Sequence, residues 1–214
     1  MKTGETSEFE RVFAELLQYG LLLESDPMLP SVCSLITSGP QRGSWWSHPL
    51  AHTIFQVNGQ LADHVDVLIT KLISSKVTFI HRRLWSEVLA IGMAREAWQI
   101  TGLSAGARRV LKLVDEQGTL RTDQLIFSKS FKPGEASREL EKRLLLHSDE
   151  LHTESGAHAK LLETWPRWAD RISFQPQEIT ATDAKAMFEE RMKTLNEQFG
   201  SRARLPWQVI RKRH

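Results

Sequence analysis

Between Leu103 and Trp168 the chain sets out a helix, a short second helix, a basic third helix and a hairpin. In SAGARRVLKLVDEQG, Ser104 is placed to cap a helix whose apolar face is Val110, Leu111, Leu113 and Val114 and which stops at Gly118. Thr119 and Leu120 form a brief extended link. Thr122 then caps a short helix in TDQLIF, with Leu125 and Ile126 turned back on the first. Pro133 and Gly134 end a polar linker. The third helix, within GEASRELEKRLLLHSD, sends Leu140, Leu144 and Leu145 inward and leaves Arg138, Lys142 and Arg143 on the other side. Two alternating runs around Ser155 and Gly156 predict a hairpin. This succession is that of a winged helix-turn-helix, in which the third helix enters the DNA major groove and the hairpin is the wing. A small helical bundle with an incidental hairpin is the alternative, and it explains the order and lengths less well.

The first half follows a similar plan. Phe9, Val12, Phe13, Leu16 and Leu17 line one face of a helix ending near Tyr19, and Pro30–Ile36 is a shorter helix. A third helix is expected from about Trp46 to His64, carrying Leu50, Ile54, Phe55 and Leu61. VDVLITKLI and KVTFIH then read as strands joined at Ser74 and Ser75. Each half thus shows three helices, a hairpin and a tryptophan, Trp85 in one and Trp165 in the other. The expected fold class is α+β, mostly helical, with tandem winged-helix-like units and a C-terminal helix. The expected segments are 1–100, 101–170 and 171–214, with a helix through Leu84 to Glu96 joining the units. In the last segment Thr182 to Phe199 offers Ala186, Phe188, Met192 and Leu195 for docking, up to Gly200. One winged helix with an unrelated α+β cap is the other arrangement.

Composition narrows the partner. A chain of 214 residues with 41% hydrophobic and 25% charged residues has the make-up of an ordinary globular protein. Its net charge of +2 is too small for a non-specific coating of DNA, so affinity has to come from local patches. The plainest patch is SRARLPWQVIRKRH, where Arg202, Arg204, Arg211, Lys212 and Arg213 have no acidic neighbours; a solvated tail explains the same run. The single cysteine, Cys33, lies in an apolar helical run and reads as a buried thiol. Cytoplasmic localisation is expected, since MKTGETSEFE lacks the apolar core of a signal peptide and no segment is apolar enough to span a bilayer. Glycines fall singly in turns, so no phosphate loop is present, and no nucleotide or other cofactor is expected.

Candidate chemistry clusters in RGSWWSHPLAH. Arg42, Trp45, Trp46, His48 and His52 would suit stacking on an exposed or flipped base, whereas a core role for Trp46 and a capping role for His48 explain the same residues. His48 and His52, four apart, could share a metal with His64 or His81, but no Glu follows the first His as in helical zinc peptidases, and no metal is expected. His152, Glu154 and His158 cluster at the second hairpin, with Lys160 beside them. Arg82 and Arg83 end the first hairpin, placed for phosphate or for pairing with Glu87 or Glu96.

The runs LEKRLLLHSDELHTESGAHAKLLETWPRWA, GPQRGSWWSHPLAH and DVLITKLISSKVTFIHRRLW resemble a bacterial family described as AlkZ-related, whose better-known relatives are the AlkZ and YcaQ DNA glycosylases. The resemblance spans most of residues 38–168 and implies tandem winged helices and a DNA partner. The relatives' Gln-x-Gln or Gln-x-Asp pair, which positions a water at the glycosidic carbon, is missing from the expected N-terminal region. Gln56 and Gln60 stand nearest, one helical turn apart, and the literal Gln175-Pro176-Gln177 falls in a late linker. The sequence therefore favours a winged-helix DNA-binding protein linked to repair or regulation, without evident catalysis. Its candidate contacts are Arg138, Lys142 and Arg143 on the third helix, His152, His158 and Lys160 on the wing, Arg82, Arg83 and the basic tail. A glycosylase acting on alkylated or cross-linked bases, with His52 or Asp63 as base, is one alternative. A protein-interaction scaffold is another, because Glu139 and Glu141 interrupt the third helix's charge. Nothing in the sequence sets the oligomeric state.

Overall fold

The computed structural model describes residues 7–41, 43–125, 131–152 and 158–208, without the side chains of His152 and His158. The chain is α+β, predominantly helical, and its described residues form two three-stranded antiparallel sheets. It forms two compact units, Met1–Trp85 with Met187–Leu205, and Ser86–Ala186 with Pro206–His214.

In the first unit, α1 (Glu8–Tyr19) begins at a reciprocal cap, where Ser7 Oγ accepts from Glu10 N–H and Glu10 accepts from Ser7 N–H. It ends at Gly20, whose φ of 76° suits a residue without Cβ and whose N–H donates to Leu16 O at 2.7 Å. Then follow β1 (Leu21–Leu23), α2 (Val32–Ile36), a 3-10 turn at Trp45–Ser47, α3 (Ala51–Ala62), β2 (Val67–Thr70) and β3 (Thr78–His81). Pro49 divides the helix expected from Trp46 to His64. It disfavours helical backbone at the preceding residue, and His48 is extended (φ −76°, ψ 143°). Val12, Leu16, Leu22, Val32, Ile54, Leu61 and Phe79 form the core, but Leu17, placed on α1's apolar face by periodicity, is exposed. The β2–β3 turn has Ser74 and Ser75 in the left-handed region, φ 50° and 60°. Ser74 N–H donates to Arg204 O, and Ser74 Oγ accepts from Arg204 N–H.

The second unit takes up α4 (Trp85–Met93) just after its start, then α5 (Ala97–Ile100), α6 (Ala105–Gln117), β4 (Thr119–Arg121), a 3-10 turn at Thr122–Gln124, α7 (Pro133–Lys142), β5 (His147–His152), β6 (His158–Glu163) and α8 (Trp165–Arg171). The joining helix expected through Glu96 is interrupted at Arg95, φ 52°. Ser104 caps α6 as expected, accepting from Ala107 N–H, and Gly118 closes it. Thr122 does not cap a helix; its Oγ1 accepts from Lys160 N–H at 2.8 Å and ties the turn to β6. Ile126 and Glu154 lie outside the described residues. Val110, Val114, Leu140, Leu145 and Leu162 centre this core.

Both sheets have one topology. In each, a three-residue strand that precedes the hairpin pairs with the second hairpin strand, giving orders β1-β3-β2 and β4-β6-β5. Each hairpin is followed by a fully buried tryptophan whose Nε1–H donates to a backbone carbonyl: Trp85 to Ile80 O (3.0 Å) and Trp165 to Leu144 O (2.7 Å). α9 (Ala181–Phe199) starts in the second unit and ends in the first, where Phe188, Met192 and Leu195 are buried. Ala184, not the exposed Ala186, continues that stripe, because burial follows 184, 188, 192 and 195.

Trp165 also fixes Gly92 of α4, where an added Cβ would come within 2.2 Å of Trp165 Nε1. Gly92→Ala is expected to destabilise the protein by about 1–3 kcal/mol, because a buried indole has to shift. Urea unfolding followed by circular dichroism checks this; an unchanged midpoint would count against the contact.

Candidate functional site

The helix α7, which corresponds to the basic third helix read in the sequence from Leu103 onward, owes its facing to its residues. Ala136, Ser137, Leu140 and Glu141 are buried along one side, so Arg138 and Lys142, four residues apart, stand together on the exposed side. Neither makes a side-chain hydrogen bond or ion pair among the described residues. The two acids that break the positive run in the sequence turn away from that side. Glu139 Oε1 accepts from Ser104 N–H at 3.1 Å, and the carboxylate lies 3.8 Å from Arg143. Glu141 is buried, accepts from Ser148 Oγ at 2.8 Å and pairs with Lys160. Glu135 pairs with Lys132 at 2.9 Å.

Several sequence-based contacts are already engaged within the fold. Arg143 ends α7, and its Nη1 donates to the carbonyls of Trp98, Gln99 and Thr101 at 2.7–3.2 Å, satisfying the last turn of α5. Lys160 neutralises Glu141, since a buried carboxylate needs a cation. Arg82 lies 3.7 Å from Asp66 with its guanidinium over Trp85, and Arg83 donates to Gln18 O at 3.0 Å. Glu96 holds Lys185 at 2.6 Å. His152 and His158 face each other as a backbone pair at the far end of the hairpin, their side chains outside the description, and Arg42, Arg211, Lys212 and Arg213 also lie outside the described residues. Arg202 and Arg204 are exposed.

The described residues of RGSWWSHPLAH do not converge on one pocket. Trp45 is 6% exposed and belongs to the core, whereas Trp46 is 65% exposed and stacks on it with centroids 4.1 Å apart. His48 Nδ1 accepts from Leu50 N–H at 3.1 Å, and His52 is exposed in the first turn of α3. Because His48 precedes the helix, the two imidazoles lack the helical i, i+4 relation that the sequence spacing suggested. His64 and His81 likewise use Nδ1 to accept from nearby backbone N–H groups. Gln56, Gln60 and Asp63 share an open groove of about 570 Å³ with Phe55, Glu8 and Phe9. Gln175 and Gln177 are exposed, and Gln177 N–H donates to Ser86 Oγ. Burial pushes the Cys33 thiol up to about 11, which leaves it an inert core residue.

Sequence reasoning missed a cluster at the base of the second hairpin. His147 and Glu163 are cross-strand partners and Asp149 lies two residues along, so all three occupy one face. The H-x-D spacing on β5 was the available signal. His147 Nε2 is 3.6 Å from Asp149 Oδ1 and Nδ1 is 3.7 Å from Glu163 Oε2. One ligand atom from each lies within 4.8 Å of the others, a spacing that could hold a metal. Arg171, however, bonds both oxygens of Glu163 at 2.6–3.0 Å and Asp149 Oδ2 at 2.7 Å, and the two imidazole nitrogens face different carboxylates. A guanidinium therefore already supplies the positive charge.

Among the described residues no helix is long and apolar enough to cross a membrane. Comparison with protein-family models, curated proteins and solved structures finds no match to this chain.

Burial raises the pKa of Glu163, but His147 and the contacting Arg171 more than offset it and hold the carboxyl below its ordinary 4.5. A depressed folded-state pKa means stability that is present above pH 4.5 and lost as pH falls through the lower folded value. Glu163→Gln should flatten that acid limb in pH-dependent urea unfolding. Arg171→Ala should cost about 3 kcal/mol near neutrality, the low end for a broken buried pair because the arginine is 41% exposed.

Proposed function

We propose that the chain is a duplex-DNA-binding protein built from two winged-helix-like units, with α7 as the recognition helix and the β5–β6 hairpin as its wing. The observation that carries this reading is the inward turn of Glu139 and Glu141, which leaves Arg138 and Lys142 as the unpaired charges of α7's exposed side among the described residues. The scaffold alternative drew on those two acids, and both are engaged internally. The repeated strand order supports the fold assignment, since in a winged helix the short first strand closes onto the outgoing strand of the hairpin. The resemblance to the AlkZ-related family points to the same partner class.

Two phosphate-contacting cations give modest affinity by themselves and position the helix without specifying sequence. Fluorescence anisotropy with a short labelled duplex should show binding that weakens with salt. Arg138→Ala combined with Lys142→Ala should lower affinity about tenfold at low salt and reduce the salt slope by about 2. Absence of duplex binding at low salt, or a double variant indistinguishable from the parent, would end this assignment.

A further inference from the structure

The segment after α9, in the first unit, carries arginines that the α7 interface does not use. Arg202 and Arg204 are exposed, Ala203 between them is half-buried and Leu205 is buried, which is the alternation of an extended chain. Both arginines therefore stand on the solvent side, with Cα atoms about 6.6 Å apart. The segment is fixed through its backbone. Asn196 of α9 accepts from Ala203 N–H with Oδ1 at 3.0 Å and donates to Ala203 O with Nδ2 at 2.9 Å. Ser74, in the β2–β3 turn, donates its N–H to Arg204 O at 2.8 Å, and its Oγ accepts from Arg204 N–H at 3.2 Å. Neither arginine side chain makes a hydrogen bond or ion pair among the described residues. Burial of Leu205 accounts for the anchoring but asks nothing of positions 202 and 204, where two neighbouring like charges repel each other.

We infer that Arg202 and Arg204, bound to the tip of the β2–β3 hairpin, form a second contact surface for the sugar-phosphate backbone of duplex DNA. In the winged-helix reading this hairpin is the first unit's wing, and its cations come from the segment after α9 rather than from the hairpin itself. A guanidinium matches a phosphate in a bidentate pair, and the separation of the two arginines is close to that of successive phosphates along one strand. Beside Ser74, Ser75 lines an open groove of about 620 Å³ together with Ser25, Gln41, Lys71 and Lys76. Glu24 also lines it and Asp26 pairs with Lys76 at 2.7 Å, so the groove is close to neutral. It adds hydroxyl and amide donors suited to phosphate and sugar oxygens, while the arginines supply the charge. This inference rests on the duplex-DNA reading above but uses residues of the other unit.

The test is anisotropy of a labelled duplex with the full chain, in the parent and in the Arg138→Ala/Lys142→Ala background. In both, Arg202→Ala combined with Arg204→Ala should lower affinity about tenfold at low salt and reduce the salt slope by about 2. Arg202→Lys combined with Arg204→Lys should retain the slope, because both charges remain. The two side chains are exposed, so the variants should melt like the parent, which circular dichroism checks. Unchanged affinity and slope in the alanine variant, or a loss of affinity that is the same at every salt concentration, overturns this surface. If the Arg202→Ala/Arg204→Ala variant loses binding while the Arg138→Ala/Lys142→Ala variant behaves like the parent, the surface stands and the α7 assignment falls; the opposite pattern does the reverse. A polyglutamate peptide that displaces the duplex at equal charge concentration assigns the surface to an acidic protein and also overturns the inference.

Discussion

The ion pair between buried Glu141 and Lys160 joins the burial of Ala136 and Leu140 in fixing which side of α7 meets solvent. A carboxylate in the interior is costly unless a cation and a hydrogen bond reach it, and Lys160 from β6 and Ser148 from β5 supply both. The helix and the hairpin are thereby held in one rotational setting. Leu144 reinforces that setting: in the left-handed region at φ 53°, it turns the chain sharply so that Leu144, Leu145 and Leu146 are all buried before β5 begins. A leucine pays a steric penalty there, which the burial of three side chains offsets. The exposed pair Arg138 and Lys142 is thus a consequence of internal chemistry.

Electrostatics in this chain is mostly structural. Arg143 serves the end of α5, Arg83 the end of α1, and Arg171 the carboxylates beneath the second hairpin. Each neutralises a fixed negative charge or dipole, so a count of basic residues greatly overstates what is available to a polyanion. The near-zero net charge is in keeping with this internal pairing.

The helices were legible because their ends carry local instructions, such as Ser104 and Gly118 around α6, and because buried positions recur at helical spacing. The first hairpin was legible as two apolar extended runs around Ser74 and Ser75, and the second from alternation. The strand β1 was not, and β4 was legible only as the brief extended link Thr119–Leu120, since three residues show no period and their pairing is decided by distant partners. Side-chain destinations were read poorly wherever neighbours compete: Trp45 enters the core while adjacent Trp46 stays outside, and Pro49 moves His48 off the helix that periodicity had drawn through it. The His147, Asp149, Glu163 and Arg171 cluster required knowing the β5–β6 register, which turn length alone did not fix.

The order of the second sheet leaves β5 at an edge, with one row of backbone donors and acceptors unmatched by any strand among the described residues. Such a row is a template for unwanted strand addition and aggregation. The sequence along it is His-Ser-Asp-Glu-Leu-His, so an incoming strand would have to bury ionisable groups at nearly every second step. The other sheet's hairpin edge, β2, is the apolar Val-Leu-Ile-Thr and is limited to four residues. One margin is shielded by charge and the other by brevity, so loss of the acids on β5 would endanger colloidal behaviour sooner than folding.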